Sequence, residues 1–133
     1  MAGTGNSTKR SGAFAAGRAL DYCLRALAYL AQETSPKSSK DISRSCGIPR
    51  DYLIQLMQPL RNAGFVVARA GKHGGFELCC EPDKVSVAEV VDALGGWACP
   101  PDAGAEARAV NAAVRGRLEG MALGDLLNDR LDN

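Results

Sequence analysis

The chain holds a single histidine, His73, among 133 residues. That excludes most metal-dependent hydrolases and any catalysis that needs two imidazoles. Cys-x-x-Cys pairs are absent. The five cysteines are odd in number and irregular in spacing, so neither a disulfide scaffold nor a zinc finger is indicated. No apolar run approaches the roughly 20 residues a membrane helix needs, and the N-terminus has charge but no apolar core of a signal peptide. A cytoplasmic protein without a membrane partner is expected. Nor is there a Ser/His/Asp set, a carboxylate pair or a phosphate loop, since Gly71-Lys-His-Gly-Gly75 is not followed by a helix. An enzyme is not expected.

What is present is an ordinary single-domain composition, 46% hydrophobic and 23% charged, with an uneven distribution of charge. Through residue 80 there are 11 basic and 5 acidic side chains; beyond it, 5 basic and 10 acidic, leaving a net charge of +1. Such polarity fits a first part that meets a polyanion and a second that does not, although uneven surface charge is also common.

Residues 1–12 are mostly Gly, Ser and Thr and read as a flexible tail. From Ala13 to Gln32, Leu20, Leu24, Leu27 and Ala31 form one helical stripe, which Pro36 brings to an end. Ser39 fits an N-cap for a short helix through Ser45 with Ile42 inward, and Gly47 stops it. Pro49 suits the first turn of a helix over 49–63 with Leu53, Leu56 or Met57, and Leu60 inward and Pro59 inside. This is helix, tight turn, helix. Phe65–Arg69 then reads as a strand, Gly71–Gly75 as a turn and Phe76–Cys80 as the partner strand. A basic, glycine-rich hairpin in that position is the wing of a winged helix. Ser86 caps a helix carrying Val87, Val90, Val91 and Leu94, closed by Gly95 and Gly96. Beyond a loop with Trp97 and Cys99, a helix over 105–120 repeats Ala107, Val110, Val114 and Leu118 in a narrow stripe. Such a stripe suits a partner helix, taken here to belong to a second copy. Residues 123–131 form a closing helix.

Several phrases together resemble the Rrf family of bacterial winged helix-turn-helix transcriptional regulators. They are Tyr22-Cys-Leu-Arg-Ala-Leu-Ala-Tyr-Leu-Ala31, Lys40-Asp-Ile-Ser with Gly47-Ile48, and Tyr52-Leu53-x-Gln55-Leu56-x-x-Pro-Leu-Arg-Asn-Ala-Gly64. Gly71-x-x-Gly-Gly-Phe76-x-Leu78, Val85-Ser-Val-x-x-Val-Val-x-Ala-Leu-x-Gly96 and Met121-Ala-Leu-Gly-Asp-Leu-Leu127 complete the set. The likeness covers residues 17–127. It implies a mainly α (α+β) fold: a winged helix-turn-helix DNA-binding domain over 13–96, a shortened effector-type loop at 97–104, and dimerisation and closing helices over 105–133. It also implies a homodimer, probed by Val110, Val114 and Leu118, on a near-palindromic double-stranded operator. Helix 49–63 would enter the major groove and wing 65–80 the minor groove, as in a repressor.

The residues themselves supply matching chemistry. Arg50, Asp51, Gln55 and Gln58 face outward on helix 49–63, and Arg and Gln read guanine and adenine edges by paired hydrogen bonds. Ser39 and Lys40 suit phosphates; Tyr52 suits either a phosphate or apolar packing. The wing offers Arg69, Lys72, His73 and Gly74. Two positions depart from the family. Ala70 stands where an arginine usually precedes the first wing glycine, making Lys72 or His73 the substitute, and Ile54 stands where iron–sulfur members often carry a polar reader. These departures leave a second reading open, a winged-helix protein-interaction module that has lost operator binding. Cluster-binding members carry three cysteines in the loop where this chain has only Cys99, so no cofactor and no metal is expected. An iron–sulfur cluster completed by the partner subunit, a redox-sensing thiol and an ordinary loop cysteine stay open as roles for Cys99. Cys23 and Cys46 read as core residues. Cys79 and Cys80 read as strand neighbours, with a metalloid or disulfide switch as the alternative.

Overall fold

The computed structural model describes residues 12–96 and 101–132, with side chains over 17–96 and 101–127. The readings for the N-terminal tail, Trp97 and Cys99 lie outside these residues.

Helix α1 (Gly12–Ala31) buries Cys23, Ala26, Leu27 and Leu30, whereas Leu20 and Leu24 are half-buried and Ala31 is exposed. The inward face is thus rotated from the leucine stripe read in the sequence. Cys23 and Ala26 are small and let neighbouring elements approach closely, leaving the larger leucines at the flanks. Helix α2 (Ser39–Cys46) is capped by Ser38, whose hydroxyl accepts from the Asp41 N–H at 3.1 Å. The expected cap was Ser39, one residue later. The two serines are chemically equal, and the extended backbone of Ser38 (φ −69°, ψ 160°) decides between them. That extension has a cause: Lys37 exchanges two main-chain hydrogen bonds with Phe76, at 2.9 and 2.8 Å.

Gly47, at φ 69°, ends α2 and starts the turn into α3 (Arg50–Asn62). Helix α3 buries Leu53, Leu56, Met57 and Leu60 as the spacing predicts, and Pro59 removes the donor that would reach the Gln55 carbonyl. The hairpin follows. Strand β1 (Val66–Arg69) pairs antiparallel with β2 (Gly75–Leu78) in the register Val66↔Leu78 to Arg69↔Gly75. The strands are shorter than the 65–69 and 76–80 expected. Phe65 is drawn into the core, and beyond one last bond from the Cys79 N–H to the Phe65 carbonyl (2.9 Å) the chain leaves the ladder. Cys79 and Cys80 therefore follow the strand and do not belong to it.

A turn of 3₁₀ helix (Pro82–Lys84) leads to α4 (Val87–Ala93), held by a reciprocal capping box between Ser86 and Glu89. Helix α5 (Ala105–Glu119) buries no residue, while α6 (Leu123–Asp132) places Leu123 and Leu127 in the same core as α1 to α4. Main-chain bonds from Val87 N–H to the Met121 carbonyl (2.9 Å) and from Leu123 N–H to the Val85 carbonyl (2.7 Å) clamp the end of α5 beside the start of α4. Arg115 forks onto both carboxylate oxygens of Asp92, fastening α5 to α4, and that guanidinium holds the Asp92 carboxyl below its ordinary value. No helix among the described residues is long and apolar enough to cross a membrane.

Candidate nucleic-acid interface

With four apolar residues turned inward, α3 leaves Arg50, Asp51, Ile54, Gln55, Gln58, Arg61 and Asn62 exposed. Over 13 residues this face is about 20 Å long. Gln58 donates to Asn62 at 3.1 Å, one turn on. Arg50 donates its Nε–H to the Ser39 hydroxyl at 3.3 Å, so two residues 11 apart in sequence are brought together at the start of both helices. Lys40 is exposed beside them. Arg44, one turn further along α2, and Arg61 on α3 are exposed cations as well. The sequence reading missed both. Their signal was available: α2 has one inward residue, Ile42, which leaves Lys40 and Arg44, four apart, on its solvent side.

Tyr52 sits apart from this face. Its ring stands edge-on to Tyr22 at 5.2 Å, and Arg25 covers the other ring of the pair at 5.2 Å while bonding Asp21 (2.8 Å) and the Cys46 carbonyl (3.2 Å). Tyr52 also lines, with Ala19, Gln55, Pro59 and Leu94, a cleft of about 280 Å³ between α1, α3 and α4. These contacts give Tyr52 a packing role.

In the wing, the register puts Arg69 diagonally across from Glu77 on one face of the hairpin, and the two pair at 2.5 Å. Lys72 and His73 stand exposed at the tip. Gly74 has a structural duty: a Cβ there would lie 2.1 Å from the Arg69 carbonyl oxygen. On α5, Val110 is 64% exposed, with Val114 and Leu118 half-buried along the same helix.

Four cysteines are described: Cys23, Cys46, Cys79 and Cys80. Cys23 is fully buried, which pushes its thiol up to about 12, and burial also raises the half-buried Cys80. Cys79 is exposed, with its sulfur 3.1 Å from the Gly64 carbonyl at the junction of α3 and the wing. A brief pulse of a thiol-specific disulfide reagent should therefore label Cys79 well before Cys80 and leave Cys23 unmodified until the protein is unfolded. Mass spectrometry of the digested product reads the order; labelling of Cys23 in the folded protein would contradict this burial.

Residues 16–129 match the Rrf2 family, described as iron-dependent transcriptional regulators. Against the HTH-type transcriptional regulator CymR of Bacillus subtilis the chain is 38% identical over 65 residues, which is 49% of this chain and 47% of that protein. Against the regulator IscR of Aliivibrio salmonicida it is 30% identical over 132 residues, 89% of this chain and 75% of the relative. The alignments with the first curated relatives thus span about half of each relative's length. The solved structure of B. subtilis CymR, titled the global cysteine regulator of that organism, superposes with a TM-score of 0.68 at 30% identity, covering 83% of this chain and 93% of that one. T. potens IscR superposes at 0.67 with 25% identity over 86% and 84%. An iron site is not assembled by the described residues. They contain no grouping of three or more His, Cys, Asp or Glu that could hold a metal, and the 97–104 stretch supplies one cysteine by sequence.

Proposed function

The chain belongs to the Rrf2 family of transcriptional regulators, and from that premise we propose a homodimeric, sequence-specific DNA-binding repressor acting in the cytoplasm. Its family and relatives are regulators of transcription, not enzymes. One observation carries the reading: the exposed face of α3 combines Arg50, Gln55, Gln58 and Arg61, and α2 adds the exposed Lys40 and Arg44. Arginine and glutamine have the paired donors and acceptors that match guanine and adenine edges in the major groove. Ser39, Lys40 and the N–H groups at the start of α2 suit the flanking phosphates. Lys72 and His73 at the hairpin tip suit the adjacent minor groove, with Arg69 already engaged by Glu77. The stripe Val110, Val114 and Leu118 on α5 joins two subunits, so that two α3 helices meet two half-sites.

The test is retention of duplexes from a random-sequence pool, followed by affinity against salt concentration. The affinity of the selected duplex should fall steeply with salt, by a log–log slope of about −0.9 for each phosphate neutralised. Arg50→Ala and Gln55→Ala should each weaken that duplex by about tenfold or more with an unchanged circular-dichroism spectrum, as both side chains are exposed. Full affinity in both variants would move the reading surface elsewhere. Absence of any duplex binding at low salt would favour the protein-interaction module, the reading with which the self-paired Arg69 agrees.

A further inference from the structure

Ile54 is one of two large hydrophobic residues that stand exposed among the described ones, at 50%; the other is Val110 on α5. The core does not require Ile54, because Leu53, Leu56, Met57 and Leu60 already fill the inward side of α3. Helix propensity does not explain it either, since a β-branched residue is a weaker helix former than the alternatives at an exposed site. A single exposed apolar side chain is ordinary on a protein surface. Its neighbours make this one informative. Ile54 lies three residues after Asp51 and four before Gln58, on the same exposed face, and the cationic rim of Arg50 and Arg61 lies to its side. Every other side chain of that patch is a hydrogen-bonding or charged group.

A surface of this kind presented to duplex DNA meets one apolar group of any size in the major groove, the C5-methyl of thymine; cytosine has only a hydrogen at that position, and the remaining readout groups are donors or acceptors. We propose that Ile54 is a specificity-determining residue that reads a thymine in each half-site through its methyl group. The proposal rests on the DNA-binding reading above and adds to it the identity of one base and the group recognised. Asp51 is compatible with that pair through the other base: a carboxylate accepts from the amino group of the adenine opposite thymine and repels the acceptor-rich edge of guanine. Exposed apolar area thus stays covered only when a methyl group is opposite.

The experiment uses the full chain and the duplex enriched from a random pool, in which each thymine of one half-site is replaced in turn by uracil. Uracil differs from thymine only by the missing methyl, so pairing and every hydrogen-bonding group are kept. The wild-type protein should lose about three- to fivefold at one thymine, the size of one methyl group taken from water. Ile54→Ala should bind the thymine duplex that much more weakly and show no further loss with uracil, and Ile54→Val should fall between. Alanine at this exposed helical site favours the helix, and circular dichroism verifies that the fold is kept. Wild-type affinity unchanged by uracil at every position would overturn the proposal, as would an equal thymine-to-uracil ratio in Ile54→Ala. Failure of the DNA-binding reading has a different signature: no duplex would be enriched at all.

Discussion

Val110→Asp is expected to convert dimers to monomers at micromolar concentration while leaving each subunit as stable as before. Helix α5 buries none of its residues, and Val110 is 64% exposed, so the fold of one subunit draws nothing from this side chain. Val114 and Leu118 follow it at four-residue steps and continue the apolar stripe. Two copies packed by a twofold axis through this stripe would each bring the new carboxylate into an apolar seam. Burying an uncompensated charge costs about 3–5 kcal/mol, enough to shift a dimer constant by two or more orders of magnitude. Duplex affinity should fall by about a hundredfold as well, because the second half-site would no longer be an intramolecular encounter. Sedimentation or light scattering gives the mass, and thermal melting the stability. A variant that stays dimeric would place the subunit contact away from α5. Leu118→Asp is the weaker probe, as Leu118 is half-buried within its own subunit and its change would alter folding and assembly together.

Gly75→Ala should have the largest effect on the winged head itself. Gly75 has φ 143°, a region side chains rarely enter, and its Cβ would lie 2.3 Å from the Lys37 carbonyl oxygen. The obstacle is backbone, so no rotamer change relieves it. The hairpin and the Lys37 segment must move apart, and with them go the two hydrogen bonds between Lys37 and Phe76. Strain and lost bonds together amount to about 2–4 kcal/mol, or a fall in Tm on the order of 10 °C. DNA affinity should drop further than stability alone requires, since Lys37 leads directly into the cap of α2 and the hairpin carries the wing. Gly71→Ala is the control. Its φ is 104° but the space around it is open, so only backbone strain remains and the loss should be nearer 1 kcal/mol. Equal melting temperatures for Gly75→Ala and the wild type would show that the hairpin docks without this close approach.

The helix-turn-helix was legible because its signals are local and chemically specific. Gly47 at the end of α2, Pro49 before α3 and the Ser86–Glu89 box each need only a few consecutive residues. The inward face of α3 was legible for the same reason, as four large apolar residues repeat at the helical period. Harder features depended on partners distant in sequence. Pairing between Lys37 and Phe76 is main-chain chemistry and leaves no mark on side-chain type, so it could not be read, and with it went the choice between Ser38 and Ser39 as the cap. The ion pair of Arg69 with Glu77 follows from a register that the turn length fixes, and the strands were drawn one or two residues off. In α1 the leucine stripe marked the helix but only Leu27 of its members lies on the innermost face, which Cys23, Ala26 and Ala28 share with Leu27 and Leu30. Of the candidate interface, Arg50, Gln55 and Gln58 were visible as outward positions, whereas the exposed Arg44 and Arg61 were missed although the helical period places them outward too.

The two main-chain bonds that tie Val85 and Val87 to Leu123 and Met121 have a consequence in polymer terms. They close residues 87–121 into a loop with fixed ends, and helix α6 follows it and completes the core with Leu123 and Leu127. The entropy of closing such a loop rises only with the logarithm of its length, by roughly 0.6 kcal/mol for each doubling. Residues can therefore be gained or lost between α4 and α5 at little cost to the head. This lets the chemistry of that stretch, and the reach of the arm beyond it, diverge while the recognition surface keeps its shape.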